Sequence, residues 1–338
     1  MKKTITDLIQ IDNSLVTPVY KQIVQSIRRN IEDGILGKGD VLPSVNKIAE
    51  RFSLARGSVF TAYNDLRASG IIDSIPGKGY FVSSTETKQH KRIFLLLSTF
   101  TPYKEILFNS LLNSLPESCT LDVYFHQHNI KLFESLVRNE AGHYNIFIIV
   151  PEVNNNTINI LALLDPKRTY LLDMGYKEFK NEYCGVYQHF EKDIYSLLIA
   201  HHQLVSRYKR LYLVTADEIR TKNIIAGFNK FCRKTVLITG VKKDIEPGEI
   251  KKGDGYIVIQ DNYLIEIVKI AKERQWQLGK DIGVISYNET PLKSVIGDGI
   301  TTITTDFETM GKTMAFLVQT GKRAVLENPF LMIDRKSF

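Results

Sequence analysis

The 338-residue sequence contains only three cysteines, a single tryptophan and no long hydrophobic run. Cys119, Cys184 and Cys232 are far apart and include no Cys-x-x-Cys pair, which argues against a metal site or a redox couple. We therefore interpret them as small buried apolar residues. No segment approaches the roughly 18 consecutive apolar residues of a membrane helix. The N terminus also lacks the apolar core of a signal peptide, so we expect a cytoplasmic protein with no membrane partner.

Sequence patterns that mark common enzyme classes are also missing. The chain contains no His-Glu-x-x-His, Gly-x-Ser-x-Gly or Gly-x-Gly-x-x-Gly pattern. The Gly-Lys-Thr at positions 311–313 is preceded by Asp306 where a phosphate-binding loop requires glycine. His201 and His202 have no further ligand at metal-binding spacing. We expect no catalytic residues, no metal, no cofactor and no enzymatic activity.

The residues that are present predict two or three folded domains, with 43% apolar and 24% charged side chains. Positive charge is concentrated near the N terminus. Residues 1–92 contain 14 Lys and Arg against 9 Asp and Glu, whereas the rest of the chain contains 30 against 28. A local excess of this kind is typical of a domain that binds a polyanion such as nucleic acid.

Residues 18–82 predict three helices followed by a β-hairpin. Apolar residues spaced by four positions predict a first helix, which ends near Gly34: Val19, Ile23, Ile27 and Ile31. Ser44 is a good N-cap for a short second helix. The third helix ends near Gly70 and has one apolar side: Val59, Ala62, Tyr63 and Leu66. Two short strands around a Pro-Gly-Lys-Gly tip complete the order of a winged helix-turn-helix.

Three segments in this region carry a family resemblance. They are PVYKQIVQSIRRNIEDGIL, GDVLPSVNKIAERFSLARGSVFTAYNDLRASGII and PGKGYFV. In this order they resemble the DNA-binding domain of the GntR family of transcription regulators. The resemblance implies that the N-terminal turn of the third helix enters the major groove and that the hairpin tip contacts the duplex. The residues that we expect to contact DNA are Ser44, Asn46, Lys47, Arg56, Gly57, Ser58, Thr61, Lys78 and Gly79.

The expected reading surface departs from the family pattern at three positions. Asn46 and Phe60 stand where the family often has arginine, and Ala55 replaces the usual hydroxyl residue that caps the third helix. Fewer cations predict a shallower salt dependence of DNA binding, or specificity through other contacts. Arg56, which can bond a guanine edge with both arms of its guanidinium, and Lys78 then matter most.

The polar segment SSTETKQHKR, residues 83–92, predicts a linker after the DNA-binding domain at residues 1–82. Residues 93–338 alternate apolar strand runs with helical segments, which predicts an α/β domain with parallel sheets. The predicted strands are 92–98, 121–126, 144–150, 168–174, 210–216, 255–260 and 281–287. Two crossover helices are predicted at 103–115 and 263–275.

The second domain resembles the effector-binding domain of the LacI/GalR repressors, which is similar to periplasmic sugar-binding proteins. The resemblance is carried by IIAGFNKFC, IVIQDNYLIEIVKIAKERQWQLGKDIGVISYNETPL, GITTITTDFETMGKTMAFLV and FLMIDRKSF. A GntR-type head on such a body is similar to bacterial arabinose repressors. The resemblance implies two α/β lobes, dimerisation through this domain and a small-molecule effector bound in the cleft.

Ligands of open α/β sheets bind beyond the carboxyl ends of the strands, and sugars need planar polar groups and aromatic faces there. The residues that we expect to bind the effector are Phe100, Tyr103, Tyr187, Gln188, Lys222, Gln260, Asp261, Asn288 and Phe307. Ile224 stands where the family commonly has a sugar-anchoring arginine, and Lys222 is the nearest cationic substitute. The expected effector is a monosaccharide or a derivative.

These features together predict a ligand-responsive regulator, a homodimer that binds a near-palindromic DNA operator as a repressor relieved by a sugar. Two alternatives stay open. One is an activator of the same architecture. The other is a sugar-binding α/β protein whose basic head serves only for association.

Overall fold

The computed structural model describes residues 5–85, 91–140, 144–152, 154–173 and 182–338. The chain divides into two compact units, one formed by residues 1–98 with 116–169 and the other by residues 99–115 with 170–338. Residues 86–90 of the predicted linker lie outside the described residues, and the strand after the linker begins at Lys91.

The N-terminal region of the first unit has the predicted winged-helix order. A short 3-10 turn at Ile5–Leu8 precedes α1 (Val19–Glu32), α2 (Val45–Arg51), α3 (Arg56–Ala68), β1 (Ile72–Ile75) and β2 (Gly79–Val82). The strands β1 and β2 pair antiparallel, with Ile72 opposite Val82. The predicted apolar sides of α1 and α3 pack together in one core, except that Val19 is only half-buried. The helices therefore form because each can bury one apolar face against the others.

The ends of these helices also follow the sequence. The Ser44 hydroxyl accepts a hydrogen bond from the Lys47 amide at 3.2 Å, which caps α2 as predicted. No side chain caps α3 at Ala55. The first-turn amides of the third helix therefore lack the usual hydroxyl acceptor.

The first α/β sheet contains the neighbouring strands β5-β3-β4 and the neighbouring strands β13-β7-β6. They are β3 (Lys91–Leu97), β4 (Cys119–Phe125), β5 (Ile146–Ile149), β6 (Thr169–Asp173), β7 (Cys184–Tyr187) and β13 (Val325–Glu327). Strand β3 pairs in parallel with β4 and β5, and β7 pairs in parallel with β6 and β13. The helices of this part of the sequence are α4 (Pro102–Ser114), α5 (Ile130–Asn139) and α6 (Thr157–Leu161).

The second sheet has the order β14-β12-β11-β10-β8-β9. Its strands are β8 (Arg210–Val214), β9 (Ile238–Lys242), β10 (Asp254–Val258), β11 (Gly283–Tyr287), β12 (Thr301–Thr305) and β14 (Phe330–Ile333). Its pairs are parallel except for β14, which is antiparallel to β12. The helices that accompany it are α7 (Phe190–Ala200), α8 (His202–Val205), α9 (Lys222–Cys232), α10 (Asp261–Glu273) and α11 (Phe307–Thr320). The predicted α/β class with parallel sheets is confirmed.

The interpretation of the cysteines as buried residues is wrong. Cys119, Cys184 and Cys232 are unpaired and only partly buried. The first two begin β4 and β7, and the third ends α9, so each stands where the chain enters or leaves the packed layers. Within the described ranges, no group of three or more metal-ligating side chains is arranged to hold a metal ion. No helix in the part of the chain that the structure describes is long and apolar enough to cross a membrane.

Candidate functional sites

The exposed start of α3 is the first candidate site. Arg56 and Gly57 are exposed and Ser58 is half-buried, while Val59 on the opposite side is fully buried. The Arg56 guanidinium has no hydrogen-bond or ion-pair partner among the described residues. An alanine Cβ at position 57 would meet no atom within 4 Å, so open space lies in front of this turn. A free cation and uncapped amides at one exposed helix end can receive a phosphate or a base edge.

The other predicted DNA contacts differ in how freely their side chains are exposed. Asn46, Lys47, Lys78 and Gly79 are exposed, and Gly79 at the hairpin has a φ of +90°, which suits glycine. Two hydroxyls already have partners inside the domain. Ser44 caps α2, as described above, and Thr61 donates to the Gly57 carbonyl at 2.9 Å. These two residues stay predictions as DNA contacts, with their side chains engaged in local bonds.

Two further residues extend the exposed face of α3. Phe60 and Asn64 follow Arg56 at intervals of four positions, so the three side chains lie along one side of the helix. Phe60 is 51% exposed, which is unusual for a phenylalanine that only packs a core. Its ring is suited to contact a thymine methyl group. Sequence reasoning treated Phe60 as a lost cation and omitted Asn64, although the helical period alone places both on this face.

A buried polar cluster in the second unit is the second candidate site. The Lys104 ammonium on α4 forms an ion pair of 2.9 Å with the Asp173 carboxylate, and both side chains are nearly buried. Asp173 ends β6 in the left-handed region with a φ of +69°, and its carbonyl accepts a hydrogen bond from the Gln188 amide at 3.0 Å. The carboxyl ends of β6 and β7 therefore lie next to each other. The ion pair between Lys104 and Asp173 is buried there.

Gln188, Asp193 and Tyr287 add neutral and acidic groups to the cluster. The Gln188 amide nitrogen donates to the Asp193 carboxylate. Burial, followed by the nearby Asp193, Asp173 and Tyr103, raises the pKa of Tyr287 well above its usual value. The Tyr287 hydroxyl therefore lies within electrostatic range of both carboxylates. We call Lys104, Asp173, Gln188, Asp193, Tyr287 and Asn328 the polar cluster.

Several polar atoms in and near this cluster are buried without a hydrogen-bond partner among the residues that the structure describes. They are Gln188 Oε1, Tyr287 OH, Asn328 Oδ1 and Thr101 Oγ1. Asn328 is joined to the cluster because its backbone amide donates to the Tyr187 carbonyl at 2.8 Å. Buried polar atoms in native proteins are nearly always hydrogen-bonded, to protein, water or ligand. Their concentration here indicates a site that a polar molecule completes.

The predicted aromatic residues fall into two groups. The rings of Tyr103 and Phe307 stack with centroids 5.1 Å apart, and Tyr103 also lies near the Tyr287 hydroxyl. Tyr187 ends β7 beside Gln188, and its hydroxyl donates to Glu327 at 3.3 Å. Phe100 is different, because its side chain is 66% exposed. Three of the four aromatic candidates thus border the polar cluster.

The remaining polar candidates lie at the carboxyl ends of strands in the second sheet. Gln260 accepts a hydrogen bond from the Ala216 amide at 3.3 Å. The Asp261 carboxylate pairs at 2.8 Å with the buried Lys293 ammonium, which also donates to the Asn288 carbonyl at 2.7 Å. Asn288 has a φ of +62°, like Asp173 at the end of its own strand. Lys222 is exposed at the start of α9, and no contact between described residues joins it to the polar cluster.

Sequence reasoning missed Lys104, Asp173, Asp193 and Asn328. The rule that ligands bind beyond strand ends, applied to the predicted strand 168–174, would have found Asp173. Lys104 and Asp193 carry no such signal. Each is a charged residue on the buried side of a helix, and its role depends on partners from other elements.

The titration of Asp193 yields a first prediction. Burial raises the pKa of Asp193 to about 6, although the hydrogen bond from Gln188 lowers it. An acid whose pKa is higher in the folded protein than in the unfolded chain loses stabilisation as pH rises between the two values. We expect Asp193→Asn, which keeps the acceptor for Gln188, to gain thermal stability relative to wild type as pH rises from about 4 to 6, with no further gain above about pH 7.

Thermal unfolding of both proteins across this pH range, followed by circular dichroism, checks the prediction. Asp298→Asn is the control, because Asp298 is exposed and has no ion-pair partner among the described side chains. A difference in melting temperature between D193N and wild type that is constant with pH would contradict the assignment.

The geometry of the two sites agrees with comparisons to known proteins. Residues 19–82 match the family described as "Bacterial regulatory proteins, gntR family". The HTH-type transcriptional repressor YtrA of Bacillus subtilis is 38% identical over 76 residues, which are 22% of this chain. The matched segment spans 58% of the length of YtrA, less than two thirds of that protein. The sequence similarity to YtrA therefore covers the head and little more.

The solved structures resemble the α/β part. A dimeric Lac repressor with an 11-residue C-terminal deletion has a TM-score of 0.60 and 16% identity, with coverage of 73% of this chain and 98% of that one. The trehalose repressor from Escherichia coli has a TM-score of 0.60 and 12% identity, with coverage of 72% and 100%. At these identities the likeness concerns the fold. The chain therefore joins a gntR-family helix-turn-helix domain at residues 19–82 to an α/β domain with the fold of the lac and trehalose repressors.

Proposed function

We propose that the protein is a cytoplasmic transcription regulator that binds duplex DNA through its head and a small carbohydrate through its α/β domain. The observation that carries the DNA-binding proposal is the exposed start of α3, where Arg56 has no partner among the described residues and Gly57 leaves open space. The positive charge concentrated in residues 1–92 supports it. Lys47 on α2 and Lys78 at the hairpin tip are exposed cations that can contact phosphates.

Substitution of Arg56 tests the DNA-binding proposal. We expect wild-type protein to retard fragments of genomic DNA at low salt, with an affinity that falls as salt rises. Arg56→Ala should weaken the tightest complex by about 10-fold to 100-fold, the effect of removing one base-directed arginine. Arg233→Ala is the matched control, because Arg233 is also exposed but caps the end of α9.

Mobility shifts over a salt series measure both effects. If wild-type protein retards no fragment at low salt, the head serves only for association and the proposal is wrong. If R56A and R233A weaken binding equally, the start of α3 is not the reading surface.

The carbohydrate proposal depends on the unpartnered atoms of the polar cluster. Gln188 Oε1 and Asn328 Oδ1 can only accept hydrogen bonds, whereas the Tyr287 hydroxyl can donate or accept. A ligand that fits them must offer several groups able to act in both ways, and sugar hydroxyls do so. The Tyr103 and Phe307 rings beside the cluster add apolar faces for the C–H surfaces of a sugar ring.

Removal of the Tyr287 hydroxyl tests this site. We expect one neutral monosaccharide among arabinose, xylose, ribose, glucose and galactose to raise the melting temperature of wild-type protein. Tyr287→Phe should bind that sugar roughly tenfold more weakly, because it loses one hydrogen bond. The fold should tolerate the change, since the hydroxyl has no partner among the described residues.

Tyr208→Phe is the control for Y287F, because the Tyr208 hydroxyl is also buried without a described partner but packs against Phe338. Equal sugar affinity in Y287F and wild type would contradict the site. Absence of stabilisation by any of the five sugars would contradict the effector class.

The architecture also favours a homodimer that acts as a repressor. A regulator that binds a near-palindromic operator with two heads changes affinity when a ligand alters their spacing. We therefore expect the stabilising sugar to release DNA from the protein in the mobility-shift experiment. Sugar that tightens the DNA complex would instead indicate an activator or a co-repressor response.

A further inference from the structure

The segment before α1 attaches the head to a loop of the first compact unit. The Gln10 amide donates to the Ser26 hydroxyl at 3.0 Å, and the Asp12 amide donates to Gln22 Oε1 at 2.8 Å. The Val16 amide then donates to the Leu163 carbonyl at 3.0 Å, just before the loop at residues 165–168. Side chains and backbone together hold residues 10–17 between α1 and this loop.

A crevice of about 230 Å³ lies between these elements. Its walls come from residues 10–17, from the side of α1 that carries Gln22, Gln25, Ser26 and Arg29, and from residues 165–168. Pockets for drug-sized ligands usually measure about 300–1,000 Å³, so this space suits a smaller molecule. Most of the side chains that line it are polar or charged, which favours a polar ligand.

Two arginines in the crevice share one carboxylate oxygen. Arg29 Nη2 lies 3.8 Å and Arg168 Nε 3.4 Å from Asp165 Oδ2. Both distances exceed the roughly 2.7–2.9 Å of a good charge-assisted bond. The other oxygen of Asp165 accepts the Lys167 amide at 2.9 Å, so it is engaged in the local turn. One carboxylate therefore leaves two guanidinium groups incompletely neutralised.

The other charges near the crevice do not remove this imbalance. Asp12 is turned to Ser14, whose amide and hydroxyl donate to its carboxylate at 2.9 and 2.5 Å. Burial, with a smaller contribution from the positive charge of Arg29, lowers the pKa of Arg168 to about 10, although Asp165 and Glu32 act in the opposite direction. Arg168 thus keeps its charge near neutral pH in a partly desolvated place.

We propose that this crevice binds a phosphate group through Arg29 and Arg168. A phosphate dianion matches the charge of the two guanidinium groups, and its tetrahedral oxygens can bond donors from two walls at once. The half-buried Gln25 amide, which has no partner among the described residues, supplies a further donor on the α1 wall. Because Arg29 belongs to the head and Arg168 to the loop before β6, bound phosphate bridges the two.

Thermal shift with inorganic phosphate tests the proposal on the full chain. We expect phosphate at about 10 mM to raise the melting temperature of wild-type protein above that in sodium chloride of equal ionic strength. Arg168→Gln and Arg29→Gln should each abolish the extra stabilisation by phosphate. Arg29 is the more exposed of the two arginines. Arg233→Gln is the matched control and should keep it. R29Q also preserves the test if R168Q fails to fold.

Further ligands in the same thermal-shift assay identify the source of the phosphate group. Glycerol 3-phosphate that stabilises as well as inorganic phosphate indicates a phosphorylated metabolite, and stabilisation by inorganic phosphate alone indicates the free ion. Stabilisation by a short DNA duplex that R29Q and R168Q both lose would assign the crevice to the DNA backbone, which overturns a small-molecule site. Equal phosphate effects in wild type, R29Q and R168Q, or no effect in any, would overturn the proposal.

Discussion

Gly227→Ala is expected to destabilise the α/β domain by about 3 kcal/mol, toward the upper end of the usual cost of overpacking. Gly227 lies on α9 where that helix packs against α7. A Cβ at this position would stand 2.3 Å from the Glu191 carbonyl oxygen and 2.3 Å from Ile194 Cγ2. The carbonyl belongs to the backbone of α7, so the two helices must separate to admit a methyl group. Neighbouring Phe228 and Ile224, both buried, would lose packing as a result.

The single tryptophan, Trp276, provides the measurement, because its fluorescence reports unfolding of the α/β domain during denaturation by urea. Gly57→Ala is the control, since a Cβ there meets no atom within 4 Å and alanine is the better helix former. It should leave the α/β transition unchanged and stabilise the head by up to about 1 kcal/mol. A loss below about 1 kcal/mol in G227A would show that α7 and α9 are not packed as closely as described.

Gly227 lies in IIAGFNKFC, one of the segments that carry the resemblance to the LacI/GalR repressors, and its type is itself informative. A glycine within an otherwise good helix costs about 1 kcal/mol relative to alanine, so its presence calls for a packing reason. The structure supplies that reason in the backbone of α7. Sequence alone could place the glycine on a helix, but not name the helix that approaches it.

The head could be predicted almost completely, because its structure is encoded locally. The buried side of α3, at Val59, Ala62, Tyr63 and Leu66, repeats with the helical period, and Ser44 caps α2 as its position indicates. The exposed surface follows from the same period. The extension of that surface to Phe60 and Asn64 was missed, because the prediction considered mainly the charged residues of α3.

The α/β domain was predicted in class but less completely in detail. Strands β9, β12, β13 and β14 were missed, and of β7 only the carboxyl end at Tyr187 was located. Strand β12 has the sequence TTITT, whose threonines are all buried although they are polar. Strands β13 and β14 have three and four residues, too few to show a period. The hydrophobic pattern of the sequence predicts long apolar strands. It does not predict short or polar strands, which are stabilised by their neighbours in the sheet.

The polar cluster could not be predicted for a related reason. Lys104 and Asp173 are 69 positions apart, and neither belongs to a local motif. A lysine on a helix is most often solvated, so burial against one particular carboxylate is visible only after the chain has folded. Sequence reasoning identified neighbours at strand ends, such as Gln188, because their position alone was informative.

Lys104→Met is expected to cost about 3–5 kcal/mol, since it leaves the Asp173 carboxylate buried without its counter-charge. Asp173→Asn in the same chain should restore most of this loss, because it removes the uncompensated charge and asparagine tolerates the left-handed φ of +69°. Lys192→Met is the matched control, in which an exposed, solvent-screened ion pair of 2.7 Å with Glu327 is broken with little loss of stability. Urea denaturation followed by Trp276 fluorescence compares K104M, D173N and the double variant K104M/D173N with wild type in a double-mutant cycle, and K192M is measured beside them. If K104M costs no more than K192M, water reaches the Lys104–Asp173 pair. The cluster would then lack the dry, charged interior that the proposed carbohydrate site requires.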